Sequence, residues 1–328
     1  MSSSDKIHII SQPGKQRELL HASLKARVIN PGLHYGSDEQ ARKWLSLHKK
    51  YSPVVTTADT LKIYKKAFAH AASYLTGSYA QVISLGCGGG NKDAILVQQL
   101  QVRKKTVHYV PCDISNALVQ EAAMRTSRLA QPPRCTPVVC NLDDTADLAV
   151  WLKSSYRKFS SDTQRIFLFL GILPNMETDR AHRCLRHLLQ PEDFLVVSVN
   201  LAPGPDHDKS MRKILLQYDN PETRDWLLVL LDELDIPREA GKLHFEIPGS
   251  PNQGEPLQIR VIFRFNQSVR IMLDDTIYHF RKNENLGLFF SNRHTMALMR
   301  KFQTRLGAVP LEEWKNSAGD EGILSSIV

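Results

Sequence analysis

A run of glycines followed at a distance by an aspartate is the pattern in this chain best suited to hold a ligand. The segment Gly86-Cys87-Gly88-Gly89-Gly90 follows a short apolar run, and Asp113 ends the next apolar run. Glycines let a backbone turn sharply and approach a ligand closely. A carboxylate at the end of the neighbouring strand can accept hydrogen bonds from both hydroxyls of a ribose. The pattern therefore predicts a cofactor that carries a nucleoside.

The residues around the glycines distinguish between cofactors. A dinucleotide site requires Gly-x-Gly-x-x-Gly, and a phosphate-binding Walker loop requires Gly-Lys followed by Ser or Thr. This chain instead has Gly-x-Gly-Gly-Gly-Asn-Lys-Asp, and the acidic Asp93 beside Lys92 is unfavourable for a bound polyphosphate. S-adenosylmethionine (SAM), which has a ribose and an adenine but no phosphate, fits the pattern better. The alternative interpretation is a tight strand-to-helix turn that holds no ligand.

Length and composition indicate a globular protein of one large or two modest domains. The chain has 328 residues, of which 42% are hydrophobic, so it can fill a substantial core. No run approaches the roughly 20 apolar residues of a membrane span, and the first six residues lack the apolar segment of a signal peptide. We therefore expect a cytoplasmic protein without a membrane segment. The five cysteines contain no Cys-x-x-Cys pair, so neither a disulfide framework nor a zinc site is expected.

The net charge of +8, from 42 basic and 34 acidic residues, is compatible with a nucleic-acid partner. The basic residues, however, are scattered in pairs such as Lys49-Lys50 and Lys65-Lys66 and form no long run. A solvated basic surface is the better interpretation, and a small-molecule partner is expected instead of a nucleic acid.

The first two thirds of the chain predict an α/β fold. Residues 1–60 have a helical pattern that breaks at Pro31-Gly32, and residues 58–75 continue it. Short apolar strands then alternate with helical stretches, and Ser115 is suited to cap the second of those helices. The predicted strands are 82–85, 107–110, 137–140, 166–170 and 194–199. Such alternation predicts a parallel sheet covered on both faces, with ligands at the carboxyl ends of the strands.

The pattern changes after residue 200. Residues 202–205 contain two prolines and a glycine, and residues 209–234 have helical periodicity. Residues 258–290 are rich in strand-forming residues that alternate with polar ones, which is typical of a half-buried antiparallel strand. The alternating positions are Ile259, Val261, Phe263 and Phe265. The tail is predicted to form a helix over 293–306 and an antiparallel pair, 309–314 and 322–327, that completes the sheet.

Six segments together resemble the histidine-specific SAM-dependent methyltransferase family. That family includes the ergothioneine-pathway histidine Nα-methyltransferases and a fungal dimethylallyltryptophan N-methyltransferase. The segments are His34-Tyr35-Gly36-Ser37, Tyr51-Ser52-Pro53, the glycine loop 85–92, Val110-Pro111-Cys112-Asp113-Ile114-Ser115, Phe169-Leu170-Gly171 leading to Asn175, and Tyr218-Asp219-Asn220-Pro221-Glu222-Thr223. The last segment is the most specific, because an apolar helix ending in Glu-Leu follows it here as in the family.

The resemblance implies a class I (Rossmann-like) SAM methyltransferase sheet with a mixed α+β substrate-binding domain. The substrate-binding domain would comprise residues 1–60 and 201–292, and the SAM-binding domain residues 61–200 and 293–328. The implied activity is N-methylation of a small amino acid or an amino-acid-derived metabolite, with S-adenosylhomocysteine as the second product. The fungal relatives suggest a place in secondary metabolism.

The resemblance also assigns the SAM-binding residues, which are Gly86, Gly88, Lys92, Asp113, Asn141 and Leu142. The last two would lie at the adenine, where the family commonly has Asp-Phe. The amide of Asn141 can still pair with adenine, whereas Leu142 provides no aromatic contact.

Three substrate-binding residues follow the family pattern. Tyr35 matches a tyrosine that lines the substrate site, Asn175 matches the asparagine that helps hold the amino group, and Tyr218 matches a tyrosine at the carboxylate end of the substrate. Asn175, together with Tyr51 or a water molecule, is expected to orient the lone pair of the amine. Methyl transfer to a neutral amine requires no strong general base and no metal.

Two of the substrate positions depart from the family. The family's tyrosine before proline is Ser52 here, and the tyrosine stands one place earlier at Tyr51. Histidine-specific members have Thr-Glu-x-Ser, whose glutamate and serine hold the imidazole, where this chain has Leu288-Phe289-Phe290-Ser291. The resemblance thus places Phe289 and Ser291 at the substrate. Phenylalanine in place of glutamate removes the charge-assisted bond to an imidazole. We therefore expect a substrate with a more apolar or aromatic side chain than histidine.

Several interpretations stay open from the sequence. Phe289 and Phe290 could be ordinary core residues, and Tyr35 and Tyr218 could serve packing alone. The positive charge is compatible with an RNA or protein methyltransferase, and the altered substrate positions are compatible with a non-catalytic SAM-binding relative.

Overall fold

The computed structural model describes residues 7–10, 14–156, 162–204, 207–249 and 254–328. The chain divides into two compact units. The first unit comprises residues 1–11, 49–201 and 294–328, and the second comprises residues 12–48 and 202–293. Residues 1–11, 49–60 and 201 thus group with the first unit, although they fall within the predicted substrate-binding domain. Residue 293 groups with the second unit, although it falls within the predicted SAM-binding domain. The functions assigned to the two domains stay predictions.

The described residues form fourteen strands and three sheets. In chain order the strands are β1 (His8–Ile9), β2 (Tyr79–Leu85), β3 (Thr106–Asp113), β4 (Arg134–Cys135), β5 (Val138–Val139), β6 (Thr163–Leu170), β7 (Phe194–Asn200), β8 (Gly241–Glu246), β9 (Leu257–Phe265), β10 (Val269–Leu273), β11 (Thr276–Phe280), β12 (Asn285–Arg293), β13 (Val309–Lys315) and β14 (Glu321–Ile327).

Helices connect most of these strands. The α-helices are α1 (Lys15–Ala26), α2 (Asp38–Tyr51), α3 (Pro53–Thr56), α4 (Ala58–Tyr74), α5 (Asn91–Val102), α6 (Asn116–Ser127), α7 (Ala146–Tyr156), α8 (Thr178–Leu188), α9 (His207–Tyr218), α10 (Pro221–Glu233) and α11 (Met296–Leu306). Short 3-10 helices occupy Pro31–Tyr35, Leu173–Asn175 and Arg238–Ala240. Among the described residues, no helix combines the length and the apolar character that crossing a membrane requires.

The first unit is built on a nine-stranded sheet with the order β1-β5-β3-β2-β6-β7-β14-β13, in which β4 also pairs with β3. β2 is parallel to β3 and β6, and β7 is parallel to β6. β14 pairs antiparallel with both β7 and β13. The predicted class I, Rossmann-like sheet and its antiparallel completion by the tail are confirmed.

Both faces of this sheet are covered, which explains why its strands read as continuous apolar runs. Successive side chains of a strand point to opposite faces. Val82 therefore packs in a cluster with Phe68 of α4, and Ile83 in a second cluster with Leu185 of α8. All four side chains are fully buried.

The second unit contains a three-stranded antiparallel sheet, β12-β9-β8, and the β10-β11 hairpin. On β9, the alternating residues Ile259, Val261, Phe263 and Phe265 are at most 1% exposed, as their spacing predicts. Trp226 of α10 joins the main apolar cluster of this unit. The predicted mixed α+β element is therefore present.

The predicted pattern was wrong at residues 8–9 and at Arg293, which ends β12, whereas the helix predicted from residue 293 begins at Met296. Residues 8–9 form strand β1, parallel to β5, and not part of a helix; two residues are too few to show alternation. The helical pattern of 209–234 is two helices, because the side chain of Asn220 accepts a hydrogen bond from the Thr223 N–H and caps α10. β4 and β8 were not predicted. The helical pattern predicted for residues 1–6 and the turn residue Pro205 lie outside the described residues.

The glycine turn after β2 lets two helices approach. Gly90 has a φ of +72°, and a Cβ atom there would lie 2.9 Å from the Ala122 Cα of α6. Residues that carry a Cβ atom rarely adopt this backbone conformation. A glycine at this position therefore serves both the turn and the close packing of α6.

We predict that Gly90→Ala destabilises the protein by about 2–5 kcal/mol, the sum of left-handed strain and overpacking. The matched control is Gly307→Ala, whose φ is +75° and whose Cβ would meet no atom of the described structure within 4 Å. The control should lose only about 1–2 kcal/mol. Urea unfolding followed by circular dichroism measures both. Equal losses would show that contact with Ala122 is unimportant.

Candidate functional site

The glycine turn and Asp113 lie together because β2 and β3 are parallel neighbours. Leu85, at the end of β2, pairs in register with Cys112 of β3. The backbone N–H of Gly88 donates to Asp113 Oδ2 at 3.0 Å, and the N–H of Ser115 donates to Oδ1 at 3.1 Å. Ser115 also caps α6 by accepting from the Leu118 N–H, as predicted. Asp113 is thus held in place by the turn on one side and by the next helix on the other.

The Asp113 carboxyl is buried, and its pKa is raised. The residue is 6% exposed. Burial raises the pKa of its carboxyl to about 6, although the N–H groups of Ser115, Gly88 and Ile114 oppose the shift. Each carboxylate oxygen has a second lone pair that its backbone partner does not use. The acceptor oxygens of Asp113 therefore fit a ribose, whose hydroxyls donate hydrogen bonds.

Lys92 lies in the first turn of α5, beside a buried polar pair. Its Nζ is 4.8 Å from the centre of the Tyr64 ring, a distance suited to a cation–π contact. Tyr64 donates its hydroxyl hydrogen to Glu321, and both side chains are buried. Burial lowers the pKa of Lys92, whereas the carboxylates of Glu321 and Asp93 oppose the shift.

The ammonium of Lys92 also lies near the end of β6. A Cβ atom on Gly171, which follows β6, would be 3.5 Å from Lys92 Nζ. Gly171 has a φ of +78°, so glycine is favoured there for its backbone as well. The ammonium of Lys92 is therefore near the edge of the sheet at which the strands end.

Gly86 and Leu142 lie close together with the loop after β6. A Cβ atom on Gly86 would overlap the Ile172 side chain at 2.1 Å and would reach Leu142 Cδ1 at 3.9 Å. Asn141 uses its side-chain oxygen to accept from the Asp143 N–H at 2.9 Å. Its amide nitrogen is the group with which it would donate to an adenine.

The other candidates of the first unit are Asn175, Tyr51 and Ser52. Asn175 ends the 3-10 helix after β6, and its N–H donates to the Ile172 carbonyl at 2.9 Å. Tyr51 is the last residue of α2 and is 40% exposed. Ser52 precedes α3, where its carbonyl accepts from the N–H groups of residues 55 and 56.

The second unit brings Tyr35 and Phe289 to one tryptophan. The ring centres of Tyr35 and Trp226 are 5.4 Å apart, and those of Phe289 and Trp226 are 5.6 Å apart. The ring centres of Tyr35 and Trp44 are 5.9 Å apart. Phe289 is 8% exposed. These rings form an aromatic cluster, which we define as Tyr35, Trp44, Trp226 and Phe289.

His34 lies next to this cluster as a neutral group. Its ring is 5.4 Å from Trp226, and its Nε2 donates to the Leu288 carbonyl at 2.7 Å. Complete burial lowers the pKa of His34 to about 4. The imidazole therefore adds no positive charge to the aromatic cluster near neutral pH.

A polar group adjoins the aromatic cluster on β12. The hydroxyls of Tyr218 and Ser291 are 2.8 Å apart, and Arg293 Nη2 donates to the Tyr218 hydroxyl at 3.1 Å. Alternate residues of a strand share a face. Phe289, Ser291 and Arg293 therefore occupy successive positions on one face of β12.

Several residues of the site were not predicted. Arg293 has a sequence signal, since it continues the alternation that begins at Phe289 and Ser291. Trp226 lies in the helix that follows the Tyr218 motif, but helical spacing alone does not separate it from the core. The Tyr64–Glu321 contact joins residues 257 positions apart, and no local pattern predicts such a pair.

A sequence profile described as histidine-specific methyltransferase, SAM-dependent, matches residues 43–325. The N-methyltransferase imqF of Aspergillus flavus is 28% identical over 175 residues, which are 52% of this chain and 45% of that protein. The chain thus matches less than half the length of this curated relative.

Two solved structures are also similar. The magnesium protoporphyrin IX methyltransferase of Synechocystis PCC 6803 is 14% identical with a TM-score of 0.44, over 89% of this chain and 95% of that chain. The 1,6-didemethyltoxoflavin-N1-methyltransferase of Burkholderia thailandensis is 13% identical with a TM-score of 0.42, over 97% and 90%.

The raised pKa of Asp113 gives a prediction about stability. The folded value of about 6 exceeds the ordinary 3.8, so the folded state binds this proton more tightly than the unfolded state. The contribution of Asp113 to the free energy of unfolding is therefore largest at low pH and falls as the pH rises from about 4 to about 6. An asparagine side chain at this position would not titrate. We expect Asp113→Asn to gain stability relative to the wild type across this window, by up to about 3 kcal/mol.

Chemical denaturation at several pH values measures this difference. The control is Asp59→Asn, because hydrogen bonds from Ser317 lower the pKa of that exposed carboxyl. The control should show no such relative gain. A constant difference between Asp113→Asn and the wild type would contradict the assigned titration.

Proposed function

The chain belongs to the histidine-specific SAM-dependent methyltransferase family, and from that premise we propose that it methylates the amino group of a small amino acid, or of a metabolite derived from one, with an aromatic or apolar side chain. That the protein is a SAM-dependent methyltransferase follows from the family. The observation that supports the rest is the aromatic cluster in which Phe289 contacts Trp226 at 5.6 Å.

The first unit supplies the residues that we propose for SAM. The Asp113 carboxylate accepts from the ribose hydroxyls, and Gly86 and Gly88 allow the turn beside it. Lys92 offers a positive charge to the carboxylate of the methionine moiety. Asn141 pairs with the adenine through its amide, and Leu142 provides an apolar contact. When bound, SAM supplies an electrophilic methyl carbon.

The catalytic contribution of the chain is positioning. An amine reacts through its lone pair, so it must be neutral and aligned with the methyl carbon. We propose that Asn175 and Tyr51 orient this lone pair and that Ser52 leaves more room than the family's tyrosine. Desolvation of the amine and polar groups complementary to the spreading charge lower the barrier further. No residue of the chain needs to act as a strong base.

The aromatic cluster explains why histidine should be a poor substrate. An imidazole N–H that faces Phe289 in place of a carboxylate loses its hydrogen-bond partner. An unpaired buried polar group is unfavourable by about 1–3 kcal/mol. That difference corresponds to roughly 5- to 150-fold in specificity, at about 1.4 kcal/mol per factor of ten. An aromatic or aliphatic side chain leaves no polar group unpaired there.

The experiment that tests the proposal is an acceptor panel with methyl-labelled SAM. The panel contains histidine, phenylalanine, tyrosine, tryptophan, leucine, and prenylated and N-terminal peptide derivatives of the aromatic amino acids. We expect labelled N-methyl product from at least one aromatic or apolar acceptor, at a kcat/KM at least about tenfold above that of histidine. Histidine as the best acceptor would contradict the proposal.

A second prediction concerns Phe289 itself. Phe289→Glu restores a carboxylate at the position where histidine-specific members have one, so the ratio of kcat/KM for histidine to that for the best acceptor should rise about tenfold or more. The matched control is Phe290→Glu, because the neighbouring residue of β12 points to the opposite face. The control should leave the ratio unchanged.

SAM binding and circular dichroism first establish that both variants are folded. Phe289→Gln replaces Phe289→Glu if the buried charge prevents folding. A well-folded Phe289 variant with an unchanged acceptor ratio would show that Phe289 is a core residue without a role in specificity.

A further inference from the structure

Arg293 is a buried cation at the end of β12. The residue is 7% exposed and lies on the strand face that Phe289 and Ser291 share. A guanidinium is always charged near neutral pH and carries five N–H donors. A buried charge is strongly unfavourable unless an opposite charge or several hydrogen bonds compensate it.

The compensation that Arg293 finds in the described part of the chain is incomplete. Its Nη2 donates to the Tyr218 hydroxyl at 3.1 Å, and its guanidinium carbon lies 5.6 Å from the centre of the Tyr218 ring. Its Nε is buried and has no hydrogen-bond partner there. None of the ion pairs among the described residues includes Arg293.

A second buried arginine, Arg165, has its charge fully compensated by a carboxylate. Arg165 and Asp193 have side chains that are 3% and 5% exposed, and they form an ion pair. Arg165 Nε donates to Asp193 Oδ1 at 2.7 Å, and a second guanidinium nitrogen donates to Oδ2. Arg165 therefore has the bidentate carboxylate that Arg293 does not have within the described residues.

We propose that Arg293 binds a carboxylate of the methyl acceptor, with the hydroxyls of Tyr218 and Ser291 as additional donors. This inference rests on the proposed function and narrows it: the acceptor is an amino acid with a free carboxylate, not the corresponding amide or decarboxylated amine. A carboxylate matches the guanidinium in shape and charge, and can accept two parallel N–H donors.

The neighbours of Arg293 support this acceptor chemistry. Phe289, which contacts Trp226, stands four positions before Arg293 on the same strand face. An aromatic surface followed by a cation suits a molecule with an apolar part and an acidic part. Tyr218 contacts both residues of the polar group: its ring lies beside the Arg293 guanidinium, and its hydroxyl forms a hydrogen bond with Ser291.

The first test uses the wild-type enzyme and three matched acceptors. These are L-phenylalanine, L-phenylalaninamide and phenethylamine, with the tryptophan series in parallel. We expect kcat/KM for the acid to exceed that for the amide and the amine by about 50-fold or more, since a charge-assisted bond is lost with the carboxylate. Equal kcat/KM values of the wild-type enzyme for the acid and the amide would overturn the proposal.

The second test compares Arg293→Gln with Arg293→Lys and with the control Arg264→Gln, which changes an exposed arginine of β9. Arg293→Gln should remove most of the preference for the acid and leave turnover of the amide within about threefold of the wild type. Arg293→Lys should retain part of the preference, and Arg264→Gln all of it. An equal loss for acid and amide, with SAM binding intact, would show a structural role instead.

A binding measurement separates this inference from the proposed function. 3-Phenylpropionate and 3-phenylpropionamide have no amine and cannot be methylated. Calorimetry with the S-adenosylhomocysteine-loaded enzyme should show tighter binding of the carboxylate, by about tenfold or more, and loss of that difference in Arg293→Gln. If no amine is methylated but this difference appears, the proposed function fails and the carboxylate site stands. If amines are methylated but the carboxylate and the amide bind equally well, the carboxylate site at Arg293 fails and the proposed function stands.

Discussion

Parallel pairing of β2 with β3 and β6 is the constraint on which the arrangement of the first unit depends. Parallel strands end at the same edge of a sheet, so the turns that follow them must converge there. The glycine turn, Asp113 and Gly171 are therefore neighbours, although they are far apart in the sequence. The same pairing explains the glycines, since side chains at Gly86 and Gly90 would overlap Ile172 and Ala122. An edge this crowded leaves backbone groups and a few polar side chains to contact a ligand.

The buried ionisable groups of the protein differ in which neighbouring groups compensate their charge. Arg165 and Asp193 neutralise each other, so this pair is complete without any ligand. Asp113 is compensated only by backbone N–H groups, and its pKa stays raised. Lys92 relies on an aromatic ring and on carboxylates that it does not bind directly. A buried group with partial compensation is suited to accept a further partner, whereas a complete pair is not.

Much of the fold could be predicted from the sequence, because hydrophobic spacing and caps are local signals. The five parallel-sheet strands, the cap at Ser115 and the alternation on β9 depend on neighbours within a few positions. β1 is too short to show a period, and the break at Asn220 is a single capping residue inside an otherwise helical pattern. The partners of Tyr64 and Tyr218 depend on long-range contacts, which periodicity does not report. The resemblance to a family predicts a set of cofactor residues, and it does not include Arg293.

The distribution of substitutions follows from what methyl transfer requires. The reaction needs a held cofactor and an aligned neutral amine, and it needs no acid or base of tuned strength. Gly86, Lys92 and Asp113, which we propose for the cofactor, can therefore follow the family pattern while the side chains around the rest of the acceptor vary. We propose that Phe289 is an example, as a ring that packs on Trp226 in place of the family's carboxylate while Asp113 is unchanged. The effect of such a replacement should appear in the choice of acceptor, because it alters binding at a distance from the reacting atoms.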